Sequence, residues 1–235
     1  MRMGFIADAH ANLPATRAVL DALEAARCDQ VIHVGDAVGI GPHPSEVVSL
    51  LTERGVLCLM GNHDELAAFG LPEPLPRWLS EGEAEHQRWT RRQLSEAQLD
   101  ILRSWPYELS RRCGTTTVAC LHYARKRDGG FDHVAKPTED DLLRLYRPLD
   151  GGVVVFGHDH HECDVTVAGR RFLNPGSVGC HDKAEARALI IASADDALSV
   201  EKVTVPYDDT AVLMDFEDRQ VPEREFILRT FIRRQ

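Results

Sequence analysis

Five short polar clusters each follow a run of apolar residues, and their side chains are of the types that bind divalent metal ions. The clusters are Asp8-Ala9-His10, Gly35-Asp36, Gly61-Asn62-His63-Asp64, His122 and Gly157-His158-Asp159-His160. Carboxylate oxygens combined with imidazole nitrogens suit Mn, Fe, Zn or Ni, and not a thiolate site. In an extended segment, residues i and i+2 face the same side, so both histidines of the last cluster can reach one centre. The spacing therefore predicts a shared metal centre.

The apolar runs before these clusters predict the strands that position them. Helical patterns that begin near Pro14 and Pro44 separate the first three runs. This β-α-β-α-β order predicts a parallel sheet covered on both faces, whose ligands bind at the carboxyl edge of the strands. More antiparallel pairing is expected in the second half. The predicted strands are 3–7, 31–34, 56–60, 116–121, 153–156, 164–167, 170–173, 187–191 and 198–203.

Residues 66–112 interrupt this alternation. Helical patterns cover 83–93 and 96–104, so we expect a helical insert at about 66–112 within a single domain of residues 1–235. Three tryptophans of this segment, Trp78, Trp89 and Trp105, are expected to form the core of the insert. The last thirty residues are polar and are expected to end in a helix near 222–233.

Charge and composition argue against several classes of protein. The chain has 235 residues and a formal net charge of −10, which disfavours binding of nucleic acid, duplexes included, through a basic surface. No apolar run approaches the roughly 20 residues of a membrane helix, and the first run is too short for a signal peptide. Six cysteines occur without a C-x-x-C pair. We therefore expect a cytoplasmic protein with reduced thiols and no membrane partner.

The five motifs, in this order, resemble the calcineurin-like metallophosphoesterases. They read D-x-H, G-D, G-N-H-D, H and G-H-x-H, and each follows a predicted strand. The later Asn174-Pro175-Gly176-Ser177-Val178-Gly179 resembles the small bacterial and archaeal phosphodiesterase branch of that superfamily. The resemblance covers residues 3 to about 205. It implies an α/β fold, a four-layer α-β-β-α sandwich of two mixed sheets flanked by helices.

The resemblance also implies a role for each polar residue. One metal ion would be held by Asp8, His10 and His160, and a second by Asn62, His122 and His158, with Asp36 bridging the two. His63 would contact the substrate phosphate and assist the leaving group, and Asp64 would be catalytic by orienting His63. The implied cofactor is a pair of divalent ions, manganese first and Fe, Zn or Ni as alternatives. Such a pair activates water for attack on phosphorus.

The expected activity is hydrolysis of a small phosphate ester, with a phosphodiesterase as the favoured case and nucleotides among the candidate substrates. A dinucleoside polyphosphate hydrolase and a serine/threonine protein phosphatase remain alternatives within the enzymes. A protein-binding scaffold of the same fold is the alternative outside them, although the complete ligand set and His63 favour catalysis. The sequence leaves the oligomeric state open.

Two features beyond His122 depart from the usual pattern and bear on the substrate. Tyr123 stands where the resembling family carries a small glycine, and it is expected to narrow the site or to stack on a substrate base. The basic run Arg125-Lys126-Arg127 follows it. A solvated surface run is the more common explanation of such a sequence, and contact with a second substrate phosphate is the alternative.

The remaining histidines are expected to have structural or surface roles. His33 lies inside a predicted strand and is expected in the core, whereas His43, His86 and His133 are expected at the surface. His161 follows the last metal cluster, but alternation turns it away from the centre. It is therefore expected to lie behind the ligands or in solvent.

Overall fold

Ten strands pair into two sheets in the part of the chain that the computed structural model describes, which is residues 1–127, 129–132, 134, 136–194 and 197–232. The strands are β1 (Arg2–Ile6), β2 (Gln30–His33), β3 (Leu57–Cys58), β4 (Glu108–Cys113), β5 (Thr116–Leu121), β6 (Val153–Val155), β7 (Cys163–Val167), β8 (Arg170–Asn174), β9 (Glu185–Ala194) and β10 (Ala197–Pro206). The first sheet has the order β10-β9-β1-β2-β3, and the second has the order β4-β5-β6-β8-β7.

Both sheets are mixed. In the first, β1, β2 and β3 pair in parallel, while β9 and β10 add an antiparallel hairpin. In the second, β5, β6 and β8 are parallel, and β4 and β7 lie antiparallel at the two edges. The predicted sandwich of two mixed sheets flanked by helices is therefore confirmed.

Four of the described helices begin at a residue whose side chain caps the helix. Asn12, Ser80, Ser95 and Thr138 each accept a hydrogen bond from the backbone N–H three residues later, which satisfies a donor that the first helical turn leaves free. The helices of the described chain are α1 (Leu13–Ala25), α2 (Pro44–Glu53), α3 (Asn62–Phe69), α4 (Glu81–Arg92), α5 (Glu96–Arg103), α6 (Glu139–Leu145), α7 (Thr210–Asp218) and α8 (Arg224–Ile227), and a π-helical turn Leu228–Ile232 follows α8.

Three elements differ from the sequence-based expectation. The segment predicted as helical insert contains α4 and α5, but its last residues, 108–112, belong to the edge strand β4. Its first residues belong to α3, which begins at Asn62 itself. Helix α7 lies in a region predicted only as polar, because its charged residues hide a sparse apolar stripe of Val212 and Phe216. The terminal helix expected near 222–233 is present over the described residues 224–232.

Apolar side chains from both sheets fill the layer between them. Phe5, Val118, Val155, Leu173 and Ile191 belong to this cluster and are almost completely buried. Close packing of this kind fixes the two sheets relative to each other. The carboxyl ends of the parallel strands of both sheets therefore open onto one edge of the molecule.

The tryptophans divide between core and surface. Trp89 is buried and Trp105 packs against the main core, but Trp78 is 71% exposed, so its prediction as core was wrong. Expected surface residue His133 lies outside the described residues. Within the described part of the chain, no helix combines the length and the apolar character needed to cross a bilayer.

Candidate metal centre

The loops after the parallel strands are joined to one another by backbone hydrogen bonds. Asp8 N–H donates to Gly35 C=O at 3.0 Å and His10 N–H donates to Asp36 C=O at 3.0 Å. Gly157 N–H donates to His122 C=O at 2.9 Å, which ties two loops of the second sheet. We call the joined set, residues 8–12, 35–41, 61–64, 122 and 157–160, the metal edge.

A tight turn at residues 174–179 braces the metal edge from behind. Ser177 Oγ donates to Asp8 C=O at 2.7 Å, and Gly179 N–H donates to the same carbonyl at 3.0 Å. Asn174 donates through Nδ2 to Gly157 C=O at 3.0 Å. The Asn-Pro-Gly-Ser-Val-Gly motif thus holds the first and last clusters together.

The backbone of the metal edge is strained at the residues that carry the chemistry. Asp8, His10, Asp36, His158 and His160 all adopt positive φ values, between 44° and 74°. Non-glycine residues rarely occupy this region, at a cost of about 1–3 kcal/mol each, and those that do cluster at functional sites. The fold stabilises these conformations through the hydrogen bonds described above.

One group of donor atoms surrounds His10. Its Nε2 lies 2.9 Å from His160 Nε2 and 3.9 Å from Asp8 Oδ1, while His160 Nε2 lies 3.8 Å from the same carboxylate oxygen. His10 Nδ1 faces Val38 C=O at 3.3 Å. A carbonyl at this position fixes the ring tautomer and directs Nε2 into the group.

A second group surrounds His122. Its Nε2 lies 3.1 Å from Asn62 Oδ1 and 3.3 Å from His158 Nδ1, and the last two atoms are 2.9 Å apart. His122 Nδ1 faces Val34 C=O at 3.0 Å. This ring is therefore oriented by a backbone carbonyl in the same way as His10.

Asp36 lies between the two groups. Its Oδ2 is 3.9 Å from His10 Nε2 and 3.2 Å from His122 Nε2, and its Oδ1 accepts a hydrogen bond from His63 N–H at 2.8 Å. Asp8 also meets the second group, but there its carboxylate accepts hydrogen bonds from the backbone N–H of His158, at 3.0–3.1 Å, whereas Asp36 faces the ring nitrogens of a histidine from each group. The structure thus brings all seven predicted ligands together, in two groups that share Asp36.

Two glycines of the metal edge allow this approach, for different reasons. Gly35 has φ of +100° and a Cβ there would collide with the His122 ring. Gly61 has an extended backbone, but a Cβ there would overlap the Asp36 side chain. A side chain at either position would push a candidate ligand out of place.

Burial and mutual charge shift the protonation of these residues. Burial raises the pKa of Asp8 well above its usual value, and burial, with His160 beside it, lowers the pKa of His10 well below its usual value. For His122, burial opposes protonation, but the adjacent Asp36 carboxylate outweighs it and raises the pKa to about 9. Binding of a metal ion at this group would displace that proton.

The donor set fits divalent metal ions. Seven carboxylate, amide and imidazole groups converge with their acceptor atoms 2.9–3.9 Å apart. Acceptors that face one another in a buried site need a cation or a proton between them. Oxygen and imidazole donors without thiolate suit first-row divalent ions. Cys180 also lies close to His10 and His160, and burial raises the pKa of its thiol well above the ordinary value.

His63 lies beside both groups and is oriented by the insert. Its Nδ1 faces Gln87 Nε2 of α4 at 2.6 Å, and its ring packs edge-on against His10 with 5.1 Å between centroids. Gln87 is buried and was not singled out from the sequence. With Nδ1 engaged by the amide, Nε2 is the ring nitrogen that remains for a substrate.

Asp64 does not orient His63, contrary to the expectation. Its carboxylate accepts hydrogen bonds from the backbone N–H groups of Asp36, Ala37, Val38 and Gly61, at 2.8–3.1 Å. Burial raises the pKa of Asp64 to about 7. The contacts of Asp64 hold the loop that carries Asp36. The contact with the His63 ring that was expected of Asp64 is made by Gln87.

Tyr123 is a core residue and cannot stack on a substrate. Only 1% of it is exposed, its hydroxyl donates to Val134 C=O at 2.7 Å, and its ring packs against His158 with 4.7 Å between centroids. Arg125 is held over the Tyr107 ring, 3.8 Å from the centroid, and pairs with Glu65 at 3.3 Å. The residues beyond His122 therefore support the second donor group from behind.

Two histidines expected at the surface are buried. His43 caps α2 and its Nε2 lies 2.7 Å from Asp215 Oδ2 of α7. His86 of α4 accepts a hydrogen bond from Ile40 N–H at 2.8 Å through Nε2, and its Nδ1 faces Pro222 C=O at 3.2 Å. Both histidines connect the C-terminal part of the chain to the region of the metal edge. Because their partners are far away in the sequence, no local pattern reveals these contacts. His33 is buried and His161 is exposed, as predicted.

Comparisons with known proteins agree with this fold. Residues 1–197 match the family described as the calcineurin-like phosphoesterase superfamily domain. The chain is 26% identical to an uncharacterized protein of Methanocaldococcus jannaschii, over 93% of each chain. It is also similar to the solved metallophosphoesterase of Sphaerobacter thermophilus, with 26% identity, a TM-score of 0.73 and 97% and 98% of the two chains covered. A hypothetical protein of Pyrococcus horikoshii shares the fold, with a TM-score of 0.82, 19% identity and 98% of each chain covered.

Proposed function

Since this chain belongs to the calcineurin-like phosphoesterase superfamily and is a hydrolase of phosphate esters, we propose that it is a phosphodiesterase that works with two divalent metal ions. The observation that carries the proposal is the sharing of Asp36 by two donor groups beside His63. Two ions held by a common carboxylate would supply an activated water and positive charge for the phosphoryl oxygens.

The proposed ligands follow the two donor groups. Asp8, His10 and His160 would hold one ion, Asn62, His122 and His158 would hold the other, and Asp36 would be shared by both. Manganese is the proposed metal, since Asp8, Asp36 and Asn62 supply oxygen donors, which suit Mn²⁺. The negative charges of two buried carboxylates are then balanced by the ions, which makes the metal edge attractive to phosphate despite the net charge of −10.

His63 is proposed to act on the leaving group. In its protonated form, the Nε2–H of His63 would donate a hydrogen bond to the ester oxygen and would pass its proton to that oxygen as the P–O bond breaks, which leaves a neutral imidazole. Gln87 serves as a positioning residue because its amide can present either its NH₂ group or, after rotation, its oxygen to Nδ1. One residue can therefore match both the neutral and the protonated imidazole.

Diesters are proposed over monoesters because of the charge at the metal edge. A monoester carries a second negative charge, and the motif turns 8–12, 36–41 and 61–65 contain no arginine or lysine to meet it. A diester needs fewer cationic partners. We also propose a cytoplasmic location, since all six cysteines are unpaired, as is usual in reducing compartments.

A substrate panel tests the proposal. Protein loaded with Mn²⁺ is assayed against a diester, a monoester, a dinucleoside polyphosphate and a phosphoserine peptide of equal concentration. The expected result is the highest kcat/KM for the diester, loss of activity on chelation and recovery on return of Mn²⁺. A phosphopeptide as best substrate, or activity that survives chelation, would contradict the proposal.

A further inference from the structure

A cleft opens beside His63, on the side where the insert and the chain terminus meet. Its volume is about 180 Å³. Asn62 and His63 form the wall that it shares with the metal edge, so a molecule in the cleft is contiguous with one on the proposed metals. Elsewhere the cleft is lined by the aromatic residues Trp78, Phe226 and Phe231 and by Glu83 and Glu223.

The cleft leaves large apolar side chains in contact with water. Trp78 is 71% exposed and Phe226 is 43% exposed. They come from different parts of the chain, the loop before α4 and helix α8, yet they line the same space. Apolar side chains gathered around a concavity, and not scattered singly, are typical of a surface that binds an apolar group.

The charges at the cleft are all negative. Glu83 and Glu223 line it, and no lysine or arginine is among the residues that do. Glu83 is fixed there because it closes the capping box of α4, accepting hydrogen bonds from Ser80 N–H and Oγ. A second phosphate or a carboxylate would therefore be repelled at this position.

We propose that this cleft binds an uncharged aromatic arm of the substrate while the reacting phosphate lies at the metal edge. The inference rests on the proposed function. It narrows the substrates to phosphate esters whose organic arm is an aryl group or a similarly flat, uncharged group. The volume suits a single ring, since an apolar cavity of about 150 Å³ can take up benzene. It also moves the organic arm away from Tyr123 and Arg125, where the sequence had suggested it.

Calorimetric titration of Mn²⁺-loaded protein with phosphonates tests the cleft without turnover. Methylphosphonate reports on the metal edge alone, whereas phenylphosphonate adds one ring. Phenylphosphonate is expected to bind roughly tenfold more tightly or better, from burial of the ring, and 4-carboxyphenylphosphonate is expected to lose most of that gain. Equal affinity for the methyl and phenyl compounds, or undiminished affinity for the carboxyphenyl compound, would overturn the inference.

Substitutions of cleft residues test whether the preference for phenylphosphonate arises in the cleft. Trp78→Ser and Phe226→Ser are each expected to reduce the phenyl-to-methyl preference at least threefold, with methylphosphonate affinity unchanged. Phe69→Ser is the matched control, because Phe69 is 59% exposed but does not line the cleft. An unchanged preference in both cleft variants would overturn the proposal. Failure of the proposed metal centre looks different, because methylphosphonate itself would then not bind in a Mn²⁺-dependent way, and failure of the proposed diester preference would appear in the substrate panel.

Discussion

The metal edge and the cleft meet at His63, but they are built in opposite ways. On the metal edge, polar side chains are buried or half-buried and five of the seven ligand candidates hold strained backbone conformations. In the cleft, apolar side chains are left exposed on a loop and a short helix. The edge is fixed by strands and backbone hydrogen bonds that a change in substrate would not disturb. This contrast separates a rigid region for chemistry from an adaptable region for selectivity.

The comparison is tested first by removing the carboxylate that the two donor groups share. Asp36→Asn is expected to weaken binding at both donor groups and to lower kcat/KM by roughly 10⁴-fold or more, since water without metal keeps a pKa near 15.7 instead of about 7. Metal content after dialysis is measured by plasma mass spectrometry. Two tightly retained ions per chain would show that Asp36 does not bridge.

The second substitution separates metal binding from catalysis at His63, where the metal edge and the cleft meet. His63→Ala is expected to lower kcat by roughly 10²–10⁴-fold, the usual loss for a positioned acid or base, with metal content near that of the wild type. The same mass spectrometry decides the alternative, because His63 also lies close to His10 and Asp36. Loss of metal in this variant would identify His63 as a ligand.

A smaller effect is expected where the insert touches the metal edge. Gln87→Met removes the hydrogen bond to His63 Nδ1 and is expected to lower kcat about 5–10-fold, as a bond of about 1 kcal/mol implies, with KM nearly unchanged. Gln93→Met, at the exposed residue that directly follows the same helix, is the control. A change confined to KM, or an equal effect of both variants, would count against a positioning role.

The smallest effect on activity is expected from substitution of His86. This substitution changes the stability of the folded protein instead. Burial lowers the pKa of His86 to about 4, below its ordinary value of about 6.5. The folded state therefore holds this ring neutral, and its stabilising contribution is complete above pH 6.5 and is lost as the pH falls toward 4. The loss amounts to at most roughly 3 kcal/mol. Denaturant titrations between pH 7 and 4 should show a shallower decline in His86→Leu, and parallel declines would refute the assignment.

The two regions also differ in how far the sequence predicted them. The seven ligand candidates follow strands, so the apolar runs before them predict a shared position at one edge of the sheet, whereas their assignment to two ions came from the family resemblance. Gln87, His86 and His43 gain their contacts only when distant elements pack against the metal edge. Trp78 and Tyr123 were assigned to core and site respectively, and the structure reverses both. Aromatic side chains carry no local signal that distinguishes a core from a cleft.

The central claim, two ions sharing Asp36, is tested most directly by crystals grown with Mn²⁺ and measured at the manganese absorption edge. We expect two anomalous peaks per chain on either side of the Asp36 carboxylate. One should lie against Asp8, His10 and His160, and the other against Asn62, His122 and His158. A single peak, or two peaks that leave Asp36 uncoordinated, would contradict the account.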